Sequence, residues 1–307
     1  MSWAEVGTRL QAVAPDVGFL AAEITSEGAC RTIHAVKAAT PRPIGSIFKL
    51  YVLGAVVESI RAGKLSWDTP LTITSQMRIP PGDLYQRPVG STVPVQEAAK
   101  LMISISDNAG TDLLIDKVGR PAVEAQARKW SDHAALNLPF LTTREFALLK
   151  AARYPRLADA YVALKGERRR DYLDKTVAAT PLEEVFAGVK EWREPRHIDT
   201  VEWFASPLDV CRAYAGLSRM NGEQLHQVMS ASDAGLGLDR NSWPAVWFKG
   251  GSEPGVLAMG FLARSAAGRT YVVTALTSDR RTAMDEAKAG GQLLSLIRDS
   301  FAILAKD

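Results

Sequence analysis

The chain has 307 residues, 47% of them hydrophobic and 23% charged, with a formal net charge of +3. These are the proportions of a globular protein of one large domain or two, and they exclude a disordered or low-complexity chain. No apolar stretch reaches the roughly 18 to 20 residues that would span a bilayer, so no membrane partner is expected.

Taken in chain order, Met1-Ser2-Trp3-Ala4-Glu5 lacks the basic start and apolar core of a signal peptide. As the sequence stands this points to the cytoplasm; the alternative is an exported mature form whose leader has been trimmed. Ser2 to Val13 reads as a helix, and Val17 to Ile24 and Arg31 to Val36 read as a strand pair around Ser26-Glu27-Gly28. Pro41, Pro43 and Gly45 end that extended stretch, and Leu50, Leu53, Val56, Val57 and Ile60 then recur at helical spacing.

Ser46 stands at the start of this helix, where free backbone N–H groups and the positive end of the dipole favour a developing anion. Lys49 follows one turn later on the same face, flanked by Phe48 and Leu50. A serine hydroxyl is a weak nucleophile until a base takes its proton. A lysine can be that base if burial or neighbouring cations lower its pKa. Alone, a Ser-x-x-Lys match describes a helix cap and a solvated lysine, but the apolar neighbours of Lys49 argue against a solvated face.

Ser106-Asp107-Asn108 falls between Ala98, Leu101, Met102 and Ile105 on one side and Leu113, Leu114 and Val118 on the other, so it is predicted to be a short polar break between two apolar helices. Such residues are good caps; the functional reading is a hydroxyl that relays a proton and an amide that orients a substrate. Further on, Thr142 or Thr143 with Glu145 marks a helix start, with Phe146, Leu148 and Leu149 as its apolar face. The basic run from Lys165 to Lys175 has Glu167, Asp171 and Asp174 interleaved and reads as a solvated helix face. Without a broader patch and stacking aromatics, no nucleic-acid partner is expected.

In the last quarter, Val246 to Phe248, Val256 to Leu262 and Tyr271 to Leu276 read as three strands joined by turns. Lys249-Gly250-Gly251-Ser252 closes the first of them, with glycines that let a ligand approach the backbone and a lysine to attract a carboxylate. Leu294, Ile297, Phe301 and Leu304 give a C-terminal helix. Cys30 lies near the first hairpin and Cys211 in the helix Pro207 to Leu217, and their positions neither require nor exclude a disulfide. His34, His133, His197 and His226 are scattered without metal-ligand spacing, so neither a metal nor another cofactor is expected.

The three elements together, Ser46-x-x-Lys49, Ser106-Asp107-Asn108 and Lys249-Gly250-Gly251, resemble the serine β-lactamase and penicillin-binding-protein superfamily, and most closely class A β-lactamases, whose signature is Ser-x-x-Lys, Ser-Asp-Asn and Lys-Thr-Gly. The order agrees, and Ser106 follows Ser46 by 60 residues, close to the family interval. The resemblance implies an α/β (α+β) fold over the whole chain, 1–307 as one catalytic domain. An antiparallel sheet flanked by the N- and C-terminal helices, drawn from about 1–45 and 215–307, would enclose an all-helical part at about 46–214, with the site in the cleft between them. It implies Ser46 as the acylated nucleophile, Lys49 as its base, and Ser106 as the proton relay to the leaving nitrogen. Asn108 would hold the substrate's side-chain amide and Lys249 its carboxylate, with Gly251 beside an oxyanion hole made by the N–H groups of Ser46 and Ser252. The substrate implied is a small carboxylate-bearing acyl compound, a β-lactam or an ester.

The sequence departs from that pattern in three places. Gly250 stands where the family has threonine, with Ser252 as a partial substitute. About 140 residues separate Asn108 from Lys249, more than in class A enzymes, and the surplus reads as extra helices at about 139–190 that form a lid or rim. The deacylating glutamate has three rival positions, Glu191, Glu194 (in Trp192-Arg193-Glu194-Pro195) and Glu202. Three functions are therefore weighed. The first is a class A-like β-lactamase. The second is a serine esterase or amidase on the same scaffold, favoured by these departures. The third is a non-catalytic binding protein, which need not have kept Ser46, Lys49, Ser106, Asn108 and Lys249 together.

Overall fold

The computed structural model describes residues 2–306. Five strands form one antiparallel sheet: β1 (Asp16–Ile24), β2 (Cys30–Val36), β3 (Ala245–Glu253), β4 (Val256–Arg264) and β5 (Thr270–Ser278), in the order β2-β1-β5-β4-β3. The two ends of the chain meet where β1 pairs with β5, Val17 opposite Thr277 and Ala22 opposite Val272.

Both sides of the sheet are covered, so its central strands read as apolar runs rather than as a clean alternation. Phe19, Ala21, Val246, Phe261 and Val273 pack on one side with α1 (Val6–Gln11) and the C-terminal helix. Leu20, Ala22, Trp247, Leu262, Val272 and Leu276 face the helical layer on the other. At the centre of that layer is α2 (Lys49–Arg61), buried at every position from Lys49 to Val57. Each large apolar side chain it buries contributes roughly 1.5–3 kcal/mol. Around it lie α3 (Val95–Ser104), α4 (Asn108–Val118) and α5 (Arg120–Trp130). Next in the chain come α6 (Thr143–Ala151), α7 (Arg156–Ala163), α8 (Glu167–Tyr172) and α9 (Glu183–Val189). The chain then returns through α10 (Pro207–Met220) and α11 (Glu223–Met229) to the sheet and ends in α12 (Glu286–Leu304). The Trp130 indole is wedged between α2 and α10, where a Cβ on Gly54 or Gly216 would come within 2.3 Å of its ring.

The α+β architecture expected from the sequence is the one observed. Helix α6 starts with the capping box expected of it, Thr142 with Glu145. Three details differ. The N-terminal helix is split into a 3₁₀ turn, Trp3–Glu5, and α1. Strand β3 does not stop at Phe248 but runs through Lys249–Ser252 to Glu253, because Gly251 and Ser252 still pair with Ala258 and Leu257. The turn falls instead at Pro254-Gly255, where Gly255 takes φ +87°. Finally, Cys30 on β2 and Cys211 on α10 are joined in a disulfide across 181 residues of sequence, a pairing their positions alone did not indicate.

Candidate active site

Gly45–Phe48 forms a 3₁₀ turn that runs straight into α2. In 3₁₀ geometry residues i and i+3 eclipse, which sets Lys49 above Ser46. The N–H groups of such a first turn have no intrahelical acceptor. That of Gly45 is taken by Glu202 Oε1 at 2.7 Å, while the second carboxylate oxygen of Glu202 accepts Trp203 N–H at 2.8 Å. The Trp203 ring stacks on Phe48 with centroids 3.7 Å apart. This fixes the turn that carries Ser46 from behind. In front of it runs β3: a Cβ on Gly251 would lie 2.4 Å from Ser46 N, and one on Gly45 would lie 2.9 Å from Ser252 N. Only glycine fits at these two places, and Gly45 also takes φ +48°. The N–H groups of Ser46 and Ser252 are brought side by side.

Ser106 lies in the break between α3 and α4 with φ +60°, a left-handed conformation that a serine adopts only when its surroundings hold it there. The anchor is the fully buried Asp107, which accepts Asp83 N at 2.5 Å, Leu84 N at 2.8 Å and Gly110 N at 2.8 Å. Lys49 Nζ donates to Ser106 O at 2.7 Å, Ser106 Oγ at 3.0 Å and Asn108 Oδ1 at 2.8 Å. Lys249 Nζ reaches the same Ser106 Oγ at 3.1 Å and the carbonyl of Gly250 at 2.7 Å. Asn108 directs one amide hydrogen to Pro80 O at 2.8 Å, which leaves the other for a ligand. All of the residues predicted for the site, Ser46, Lys49, Ser106, Asn108, Lys249, Gly251 and Ser252, thus converge from three separate stretches of sequence.

Both lysines are almost fully buried. Desolvation pulls Lys49 well below the ordinary lysine range and the neighbouring Lys249 charge adds to that, against the opposing pull of Asp112 and Asp107. Burial lowers Lys249 to about 7. Such lowering favours the free amine that a general base requires.

The site opens into a cavity of about 620 Å³ whose walls are mainly apolar. Phe48, Trp203, Phe146 and Trp192 form an aromatic ladder along it, with ring centroids 3.7, 4.7 and 6.0 Å apart in succession. Val185 and Val189 of α9 complete the rim. Of the three glutamates considered for the hydrolytic water, Glu191 and Glu194 are exposed and do not line the cavity. Glu202 is buried with both oxygens engaged, and burial raises it to about 7. Sequence reading missed Glu253. It is the one carboxylate among the described residues that line the cavity, and it pairs at 2.5 Å with Lys150 of α6. The signal was present in the period of two along β3, which puts Lys249, Gly251 and Glu253 on one face. Also missed were Thr143, whose hydroxyl donates to Asn108 O at 3.2 Å, and Asp112, which accepts Thr143 N and Arg144 N at 2.8 and 2.9 Å. Among the described residues no group of His, Cys, Asp or Glu could hold a metal ion, and no helix is long and apolar enough to cross a membrane.

Against known proteins, the sequence profile described as the beta-lactamase enzyme family matches residues 10–300. No curated protein matches in sequence. Among solved structures, a mutant of PBP-A in its acyl-enzyme complex with penicillin G superposes with a TM-score of 0.63 at 16% identity, covering 99% of this chain and 97% of that one. The beta-lactamase of Sphaerobacter thermophilus gives 0.65 at 17% identity over 99% and 98%. A mutant class A beta-lactamase of the last common ancestor of Gram-negative bacteria gives 0.66 at 16% over 98% of each chain. At such identities these likenesses establish the fold.

Proposed function

The chain belongs to the beta-lactamase enzyme family, and on that footing we propose that this serine hydrolase opens β-lactam amides through a covalent intermediate on Ser46. The observation that carries the reading is the shared hydrogen-bond centre at Ser106 Oγ, on which Lys49 and Lys249 meet at 3.0 and 3.1 Å beside the nucleophile's turn.

In the proposed reaction Lys49, as free amine, takes the proton of Ser46 Oγ as that oxygen attacks the carbonyl carbon. The oxyanion develops between the N–H groups of Ser46 and Ser252; preorganised donors of this kind are worth about 3 to 4 kcal/mol of barrier each. The proton passes through Ser106 to the leaving nitrogen, and the amide bond breaks. Asn108 supplies its free amide hydrogen to the acyl side chain, and Lys249 supplies a positive charge to the substrate carboxylate. Water then releases the acyl group.

One observation favours a second reading, a serine esterase or amidase acting on a bulky apolar acyl group. A Cβ at Gly250 would lie 2.7 Å from the Phe248 ring, so an aromatic edge takes the space beside the position where a hydroxyl would meet a substrate carboxylate. The cavity beyond is lined by aromatic and aliphatic side chains. As to compartment, the Cys30–Cys211 disulfide fits an oxidising one and so supports the exported form.

The deciding experiment is intact-mass measurement after incubation with a penicillin, a cephalosporin and an activated ester, for wild type and Ser46→Ala. A wild-type adduct that the variant lacks is expected. Adduct formation or turnover unchanged in Ser46→Ala would remove Ser46 as nucleophile, and relative rates on lactam and ester decide between the two readings.

A further inference from the structure

Release of an acyl group from Ser46 needs a base for the attacking water, and the carboxylates suggested by the sequence are exposed or fully engaged. We propose that Glu253 is that base, presented from β3 and held by Lys150. The inference rests on the acyl-serine reading above and extends it to the second half of the reaction.

Three observations carry it. First, Glu253 is among the residues that line the cavity, it is 7% exposed, and its buried Oε2 has no hydrogen-bond partner. Second, its position on the strand is right. Gly251 packs against Ser46 N, and Glu253 follows two residues later on the same face, about 6 to 7 Å along the strand. A glutamate side chain can lean back over much of that distance, toward an acyl carbon held between the N–H groups of Ser46 and Ser252. Third, the other oxygen is fixed. Oε1 accepts from Lys150 Nζ at 2.5 Å, and the fully buried Lys150 sits over the rings of Phe146 and Trp192, 4.7 and 5.6 Å from their centroids. Lys150 is therefore a positioning residue that aims Oε2, and the aromatic ladder limits bulk water around it. Burial raises Glu253 to about 8, opposed by Lys150 and reinforced by Glu202, so the carboxylate form that can accept a proton gains population as pH rises through that value.

The step balances as follows. Oε2 takes one proton from water while the water oxygen bonds to the acyl carbon. The tetrahedral adduct collapses, the bond from the acyl carbon to Ser46 Oγ breaks, and Oγ receives the proton from Glu253 through cavity water. The product is the free carboxylic acid, and Glu253 is a carboxylate again.

The test follows the acyl-enzyme by intact mass over time in wild type, Glu253→Gln and Glu253→Ala, with penicillin G and an activated ester. In Glu253→Gln the adduct is expected to form at a rate within about threefold of wild type and to persist about 100-fold longer or more. Added formate should shorten the adduct's life in Glu253→Ala in proportion to its concentration, a rescue that a purely structural role would not show. An unchanged lifetime in Glu253→Gln, an equal fall in formation and decay, or no rescue by formate overturns the proposal. A wild type that forms no Ser46 adduct is a different result, and it strikes the acyl-serine reading itself.

Discussion

Lys49 and Lys249, 200 residues apart in sequence, donate to one and the same oxygen, Ser106 Oγ, at 3.0 and 3.1 Å. A hydroxyl has two lone pairs and one hydrogen. Two lysines can therefore hold it in place from its oxygen side. Ser106→Ala removes the proposed relay and should lower the acylation rate by about 100-fold or more, read by stopped-flow formation of the adduct.

The same pair predicts opposite pH effects. Below about 7 Lys249 is an ammonium that attracts a substrate carboxylate, and as pH rises through that value the attraction is lost. In the proposed reaction Lys49 acts as the free amine, which its lowered pKa favours, so its contribution rises with pH instead. For a carboxylate-bearing lactam, kcat/KM should therefore decline on the alkaline side with KM rising, whereas a neutral ester should lack that limb. Identical profiles for the two substrates would contradict the role of Lys249.

Restoring threonine at 250 is not a simple repair. A Cβ there would lie 2.7 Å from Phe248 Cζ, so the ring must swing away first. Gly250→Thr alone should leave β-lactam acylation unchanged or slower, and Gly250→Thr with Phe248→Ala should raise it above wild type. Acylation rates measured side by side check this.

Glu202 serves the site from behind. Glu202→Ala strands the N–H groups of Gly45 and Trp203, at about 1 to 3 kcal/mol for each buried donor left unpaired. Urea unfolding should show a lower midpoint at an unchanged m-value, with slower acylation in the folded fraction because the turn holding Ser46 loosens.

The disulfide is testable on its own. Replacing Cys30 and Cys211 by serine should lower stability by about 2 to 4 kcal/mol, since the bridge closes a long loop. Adduct formation on Ser46 should survive, because neither cysteine lines the cavity.

The sequence yielded what is encoded locally. Ser46 and Lys49 share one turn, Ser106 and Asn108 share one break, and the apolar periodicity around them places both on helices. What escaped depends on contacts between distant segments. Lys150 reads as part of an ordinary helix until β3 brings Glu253 against it. Glu253 itself was hidden because the strand was expected to close at Lys249–Ser252, whereas Gly250 and Gly251 still pair with Met259 and Ala258 and carry it on. Glu194 drew attention through its neighbours Trp192 and Pro195, yet the part of that stretch that faces the cavity is the indole. The partner of Cys30 lies 181 residues away, beyond any local pattern.

The pairing of β1 with β5 has a consequence in time. During synthesis Asp16–Ile24 leaves the ribosome early, but its partner Thr270–Ser278 arrives only near the end. Contacts this far apart in sequence form slowly, and until they form the first hairpin has an open edge. Strand β3, which closes the front of the turn that carries Ser46, is also late. A nascent chain therefore carries Ser46 and Lys49 for most of its synthesis without that wall, and hydrolytic competence should appear abruptly, with the docking of the last three strands.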